Sequence, residues 1–172
     1  MYVTKGAIAM SELILSPGFD HKEDIIALFK EYTDMLIELD GNFANYLAIQ
    51  NYDAELADLS VKYGAPYGSL YIAHVDGKPV GCVAMKRHDD ENAGELKRLY
   101  VRPEYRGRGY SRIMAEKIIE DARKVGYEAV YLDTLPPLTA AKHLYDTMGF
   151  VECPPYNSDP MGCSIFMCMN LD

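Results

Sequence analysis

The sequence predicts one α/β domain built on a mixed sheet, and three observations carry that expectation. At 172 residues, 49% of them apolar, the chain can bury a core without metal or disulfide staples. Strand-like and amphipathic helical runs alternate along its length. One strand enters a helix through Arg106-Gly107-Arg108-Gly109, a glycine-bearing turn that can aim consecutive N–H groups at an anion. With no internal repeat or low-complexity tract, residues 11–172 read as a single domain. Residues 1–10 show no periodicity and are set apart as a leader, disordered or non-native, with Met10 as an alternative start.

The elements follow in order. Ser11 to Ser16 alternates weakly, as an opening strand does. Asp20 with Glu23 forms a capping-box pattern for a helix to about Leu39, with Ile25, Leu28, Phe29, Tyr32, Leu36 and Leu39 on one face. A second helical region is expected from about Asn42 to Tyr63. Tyr67 to Val75 and Val80 to Arg87 are strands joined by Asp76-Gly77, which suits a tight antiparallel hairpin. Glu95 to Val101 is the strand before the glycine turn. The helix after it, Gly109 to Val125, faces Met114, Ile118, Ala122 and Val125 inward and stops at Gly126. Ala129 to Thr134 is strand, a short helix follows Pro136-Pro137 up to Met148 and Gly149, and two strands close the chain near Phe150 to Cys153 and Ser164 to Leu171.

Charge narrows the function. The chain is net −9, yet Lys97 to Arg112 holds six of its seventeen basic residues against one acid, Glu104. An acidic protein has little general attraction for nucleic acid or anionic membranes, so one basic window points to a small, multiply charged anion bound at one place. A solvated, Arg-rich helix start is the plain alternative for the charge alone. No G-x-x-x-x-G-K-[ST] run exists, which removes the kinase and GTPase readings. Cys82, Cys153, Cys163 and Cys168 form no C-x-x-C pair and no His cluster accompanies them, so free thiols are expected and no metal. No run approaches a membrane span and no secretory signal opens the chain, which predicts a cytoplasmic protein.

The run Glu95-Leu96-Lys97-Arg98-Leu99-Tyr100-Val101-x-Pro103-x-x-Arg106-Gly107-Arg108-Gly109, followed by Ala141-x-x-Leu144-Tyr145-x-x-x-Gly149-Phe150, resembles the GNAT superfamily of acetyl-CoA-dependent N-acetyltransferases. The resemblance covers roughly Leu70 to the C-terminus. It implies a mostly antiparallel central sheet with helices on both faces and a V-shaped splay between two central parallel strands. The superfamily loop reads [QR]-x-x-G-x-[GA]; Arg106, Gly109 and Ser111 take its defined positions, and Ser111 is the departure. The implied roles follow. Backbone N–H groups of Arg106, Gly107, Arg108, Gly109, Tyr110 and Ser111 hold the CoA pyrophosphate, while Leu99, Tyr100 and Val101 pair with the pantetheine arm. A free N–H at Leu99 faces the thioester oxygen.

Tyr145 falls on the tyrosine that protonates the departing thiolate in such enzymes. Read alone, a tyrosine beside Leu144 and Met148 on an amphipathic helix is ordinary packing. Glu95 sits where some members place a glutamate that deprotonates the acceptor, although a solvated strand-edge carboxylate reads the same. The Asn common seven residues before the tyrosine is replaced by Leu138. Lys97 and Arg98 are candidate readers of a substrate carboxylate, and simple alternation sends them to opposite faces. No cysteine stands in a nucleophile setting, so direct transfer in a ternary complex is expected. Tyr32, Tyr46, Tyr52, Tyr63 and Tyr67, with the proline-stiffened segment 153–160, are expected around the acceptor pocket. The acceptor is read as a small-molecule amine. A protein lysine or N-terminal acetyltransferase and a non-catalytic CoA-binding sensor remain the rivals, and the sequence leaves a homodimer open.

Overall fold

The computed structural model describes residues 11–159 and 161–172; the leader expected at 1–10 lies outside them. Seven strands form one sheet in the order β1-β2-β3-β4-β5-β7-β6. They are β1 (Leu13–Pro17), β2 (Ser69–Val75), β3 (Lys78–Arg87), β4 (Ala93–Val101), β5 (Ala129–Thr134), β6 (Val151–Glu152) and β7 (Ile165–Asn170). Every neighbouring pair is antiparallel except β4 and β5. The β2–β3 hairpin turns at Asp76 (φ 50°) and Gly77 (φ 74°), two successive left-handed residues that match the twist of the strands they join.

Helices α1 (Lys22–Leu39), α2 (Phe43–Ile49), α3 (Tyr52–Ala57) and α4 (Leu59–Tyr63) lie between β1 and β2, α5 (Tyr110–Val125) crosses from β4 to β5, and α6 (Thr139–Met148) precedes β6. In α1, Ile25, Leu28, Phe29 and Leu36 are buried at i, i+3, i+4 and i+11, against Ile72, Cys82 and Ala84 of the sheet or the α2 apolar cluster. Met114, Ile118 and Ala122 of α5 meet Val80, Val83, Leu96 and Val130 on the opposite face. Each fully buried Leu, Ile or Phe contributes roughly 1.5–3 kcal/mol relative to exposure.

Three local expectations are corrected. The Asp20/Glu23 capping box does not form: a 3-10 turn over Gly18–His21 leaves Asp20 outside the helix, and His21 stands at the N-cap without a side-chain cap. Leu39 is 45% exposed because it sits on the last turn of α1, past the sheet contact. The helical region 42–63 is broken twice. Asn51 adopts φ 57° between α2 and α3, and extended Asp58 ends α3 while accepting from the Ser60 N–H to cap α4.

Candidate acetyl-transfer cleft

The parallel ladder between β4 and β5 is short. Ala93, Gly94 and Glu95 pair with Ala129, Val130 and Tyr131, and pairing ends there. Beyond it the strands diverge, helped by a bulge in β4. Ala84 faces Lys97 and Cys82 faces Tyr100, so Val83 alone opposes both Arg98 and Leu99. Arg98 takes φ 57°, an uncommon conformation for a side-chain-bearing residue. Its guanidinium is anchored by a two-pronged pair to Glu55, Nε and Nη2 each 2.9 Å from a carboxylate oxygen. Glu55 also accepts from Tyr63 Oη (2.6 Å) and Lys62 Nζ (2.7 Å). Burial would raise its pKa, but the Arg98 and Lys62 contacts prevail and hold it at about 2.

The bulge also overturns the alternation argument for Lys97 and Arg98. The extra residue resets the pleat, so both side chains leave on the α1–α4 face, and both are buried. Lys97 reaches Glu95 (2.9 Å) and Asp133 (3.3 Å). Burial alone would lower its pKa, yet these two carboxylates raise it well above the usual lysine value. Arg102 is likewise committed, to Glu31 at 2.7 Å. The basic window is therefore split: Lys97, Arg98 and Arg102 neutralise buried or half-buried acids, and Arg106, Arg108 and Arg112 surround the glycine turn.

That turn opens α5. After a 3-10 turn at Pro103–Tyr105, Gly107 (φ 73°) and Gly109 (φ 81°) take left-handed conformations that turn the chain into the helix, leaving the first N–H groups of α5 without intrahelical partners. The Arg106 side chain folds back on its own strand, Nε donating to the Val101 carbonyl at 2.9 Å and the guanidinium lying over the Tyr100 ring. What the turn offers an anion is thus chiefly backbone. A groove runs from Arg106, Gly107, Gly109 and Ser111 past Leu99, Tyr100 and Val101 to Tyr145. Leu138, standing where an Asn was expected, contributes only an apolar wall there.

Where the groove enters the splay, a smaller junction cavity is lined by Leu99, Lys97, Asp133, Tyr145, Tyr32 and Tyr46. Tyr145 is buried, packs edge-on against Phe150, and its hydroxyl has no hydrogen-bond partner among the described residues. Burial, then the neighbouring Tyr32 and Asp133, push its pKa up, so the phenol keeps its proton at any working pH. Asp133 was missed by sequence reasoning. The available signal was a carboxylate inside the otherwise apolar strand Ala-Val-Tyr-Leu-Asp-Thr.

A third, more open cavity adjoins the junction on the other side of Lys97, walled by Lys62, Lys86, Arg87, His88, Glu95 and Tyr156. Glu95 is 3% exposed and held by Lys97, by Lys86 (3.2 Å) and by the Tyr156 hydroxyl (3.2 Å). Burial opposes the charge, but the two lysines lower its pKa to about 2. His88 Nδ1 accepts the Asp90 N–H, which places the neutral ring's proton on Nε2, a buried donor without a partner among the described residues. Of the tyrosines expected here, Tyr32 and Tyr46 reach the cleft, Tyr52 bonds Thr33, Tyr63 is core, and Tyr67 lies exposed under Arg87. The stiff segment supplies Tyr156 as the cavity lip.

The acetyltransferase (GNAT) family model matches residues 25–150. The chain belongs to the GNAT acetyltransferase family. Its relatives agree with this membership: an uncharacterised N-acetyltransferase of Schizosaccharomyces pombe is 36% identical over 146 residues, covering 84% of this chain and 85% of that one. Human N-acetylaspartate synthetase is 37% identical over 97 residues, 56% of this chain and 32% of the synthetase, so the likeness spans about a third of that protein. A Salmonella typhimurium acetyltransferase solved with its cofactor acetyl-CoA superposes with TM-score 0.64 at 17% identity, covering 93% of this chain and 94% of that one, a likeness of fold. As a GNAT member the protein is an acetyl-CoA-dependent acyltransferase. Among the described residues all four cysteines are free, and no helix is long and apolar enough to cross a membrane. Away from the cleft, His21, Asp24 and His74 bring ligand atoms within 4.8 Å of one another, a His-containing cluster that chain spacing did not reveal.

Proposed function

We propose that this GNAT enzyme transfers the acetyl group directly to the primary amine of a small molecule that also carries a carboxylate, an amino acid being the simplest such acceptor. One observation carries the reading: a groove with a backbone anion turn and a cation-walled cavity meet at a junction that holds a protonated, unpartnered phenol. The pyrophosphate rests on the Arg106–Ser111 backbone at the start of α5, and the pantetheine arm runs along Leu99–Val101. The bulge leaves the Leu99 N–H for the thioester oxygen, where it stabilises the charge that develops as the amine adds. Tyr145 then protonates the departing thiolate. None of the four cysteines lines the cleft, and burial drives the Cys82 thiol pKa up, which favours direct transfer over an acyl-enzyme.

The acceptor cavity supports the carboxylate. On its walls cations outnumber carboxylates, Lys62, Lys86, Arg87 and Lys97 against Glu95 and Asp89, within a chain of net −9. His88 adds a buried donor with no partner among the described residues. Arg98 and Lys62 are both tied to Glu55, and Lys97 bridges Glu95 and Asp133. The task first given to Lys97 and Arg98 therefore passes to Lys86, whose contacts to Glu95 and Asp89 are longer at 3.2 Å and 3.3 Å, beside His88. Glu95 acts as a positioning residue that holds Lys86 and Lys97 in place. The human relative, N-acetylaspartate synthetase, points the same way by its name. Holding both reactants at the junction supplies about 7–11 kcal/mol in favourable cases, and acid–base help adds roughly 10²–10⁴-fold. Release of free CoA, followed across a panel of amino acids, their amides, polyamines and lysine peptides, tests the reading: turnover confined to amines without a carboxylate would refute it.

A further inference from the structure

We propose that Asp133 receives the acceptor's ammonium and takes its proton, facing Tyr145 across the junction cavity; this rests on the acetyl-transfer reading above. Asp133 lies two residues past Tyr131, the last β5 residue paired with β4, so it stands on the wall of the splay itself. It lines both the cofactor groove and the junction cavity, and it is the one carboxylate among the described residues lining either. Glu95 lines neither; it faces the outer cavity.

Surroundings separate the two acids further. Glu95 is already engaged by two lysines and a tyrosine hydroxyl. Asp133 has one neutral donor, Tyr46 Oη at 3.0 Å on Oδ2, and one long contact, Lys97 Nζ at 3.3 Å on Oδ1. A carboxylate has about four lone-pair sites, so capacity remains for an incoming N–H. Its side chain is 13% exposed, where attraction to an ammonium exceeds that in bulk water. The same negative charge helps keep the Tyr145 phenol protonated, which places a base and an acid in one small space.

The step balances. The ammonium passes one proton to Asp133, and the freed nitrogen lone pair forms the N–C bond while the carbonyl π pair moves to oxygen. On collapse the C–S bond breaks with its pair on sulfur, and sulfur takes the Tyr145 phenolic proton. The surplus proton on nitrogen returns to the Tyr145 phenolate, and Asp133 releases its own to solvent, one proton per turnover.

Asp133→Asn preserves an acceptor for Tyr46 and removes the base. The experiment compares kcat/KM from pH 6.5 to 9.5 for wild type, Asp133→Asn and Glu95→Gln, with glycine and L-aspartate as acceptors, and measures CoA affinity by calorimetry. The expected loss for Asp133→Asn is about 10²–10⁴-fold near neutrality, with CoA affinity within about twofold. That loss shrinks as pH approaches the amine's own pKa, because free amine needs no base. Glu95→Gln loses less and keeps the wild-type pH profile. An Asp133→Asn enzyme close to wild type at neutral pH, or one whose loss is uniform across the range, overturns the assignment. If the wild type binds acetyl-CoA but acetylates neither amine, the acceptor reading fails instead. The same variants are then compared on hydrolysis of acetyl-CoA, where water is the nucleophile, and an unchanged rate in Asp133→Asn again overturns the role of Asp133.

Discussion

Replacing Glu55 by Gln should damage both stability and catalysis, although α3 lies outside the sheet. Glu55 is 4% exposed and accepts four hydrogen bonds, two from Arg98, one from Lys62 and one from Tyr63. Gln keeps the size but not the charge, and leaves the Arg98 guanidinium buried without a counter-ion. Breaking a buried pair in this way costs about 3–5 kcal/mol. The pH dependence gives an independent magnitude. The carboxyl titrates near 4.5 when unfolded and at about 2 in the folded protein. A depressed pKa contributes stability above the unfolded value and loses it as pH falls through the folded one, so about 3 kcal/mol should disappear between pH 4.5 and 2. Urea melts of wild type and Glu55→Gln at pH 7 and at steps down to pH 2 read both numbers. Because Arg98 holds its φ 57° conformation through this pair, kcat should fall with the bulge geometry even where the variant stays folded. A variant within about 1 kcal/mol of wild type at pH 7, with unchanged kcat, would show that the bulge is held by the sheet and not by Glu55.

Other consequences are equally direct. Gly109→Val forces a β-branched residue to φ 81°, where the added Cβ meets nothing within 4 Å, so the penalty is backbone strain of about 1–3 kcal/mol and the turn must move; calorimetry should register a tenfold or greater loss of CoA affinity with the circular dichroism spectrum preserved. Tyr145→Phe retains the Phe150 contact and removes the hydroxyl proposed as proton donor, so kcat should drop by about 10²-fold while CoA affinity holds; full kcat would make the side chain packing. Lys86→Met should erase a preference for an amino acid over its amide in kcat/KM without weakening CoA binding, and an unchanged preference would move recognition to His88.

The glycine turn and the helix carrying Tyr145 were legible in the sequence because their signals are local. Glycines with φ near +80° before a helix, a Tyr four residues ahead of Gly149, and Asp76-Gly77 between strands each dictate conformation within a few residues of chain. The splay was legible only through resemblance, and the consequence of the β4 bulge for Lys97 and Arg98 was lost because alternation is blind to one inserted residue. Glu55 and Asp133 left weaker traces still. Glu55 occurs in an unremarkable six-residue helix, and its meaning comes from Arg98, 43 positions away. Asp133 acquires partners from positions 36 and 87 residues distant. Both are charges whose burial only tertiary contact can make tolerable. The glycine turn is a backbone signal that a short stretch of chain can carry. The acids and lysines that line the junction and outer cavities come from distant strands and helices, so they appear as a group only once the fold has brought them together.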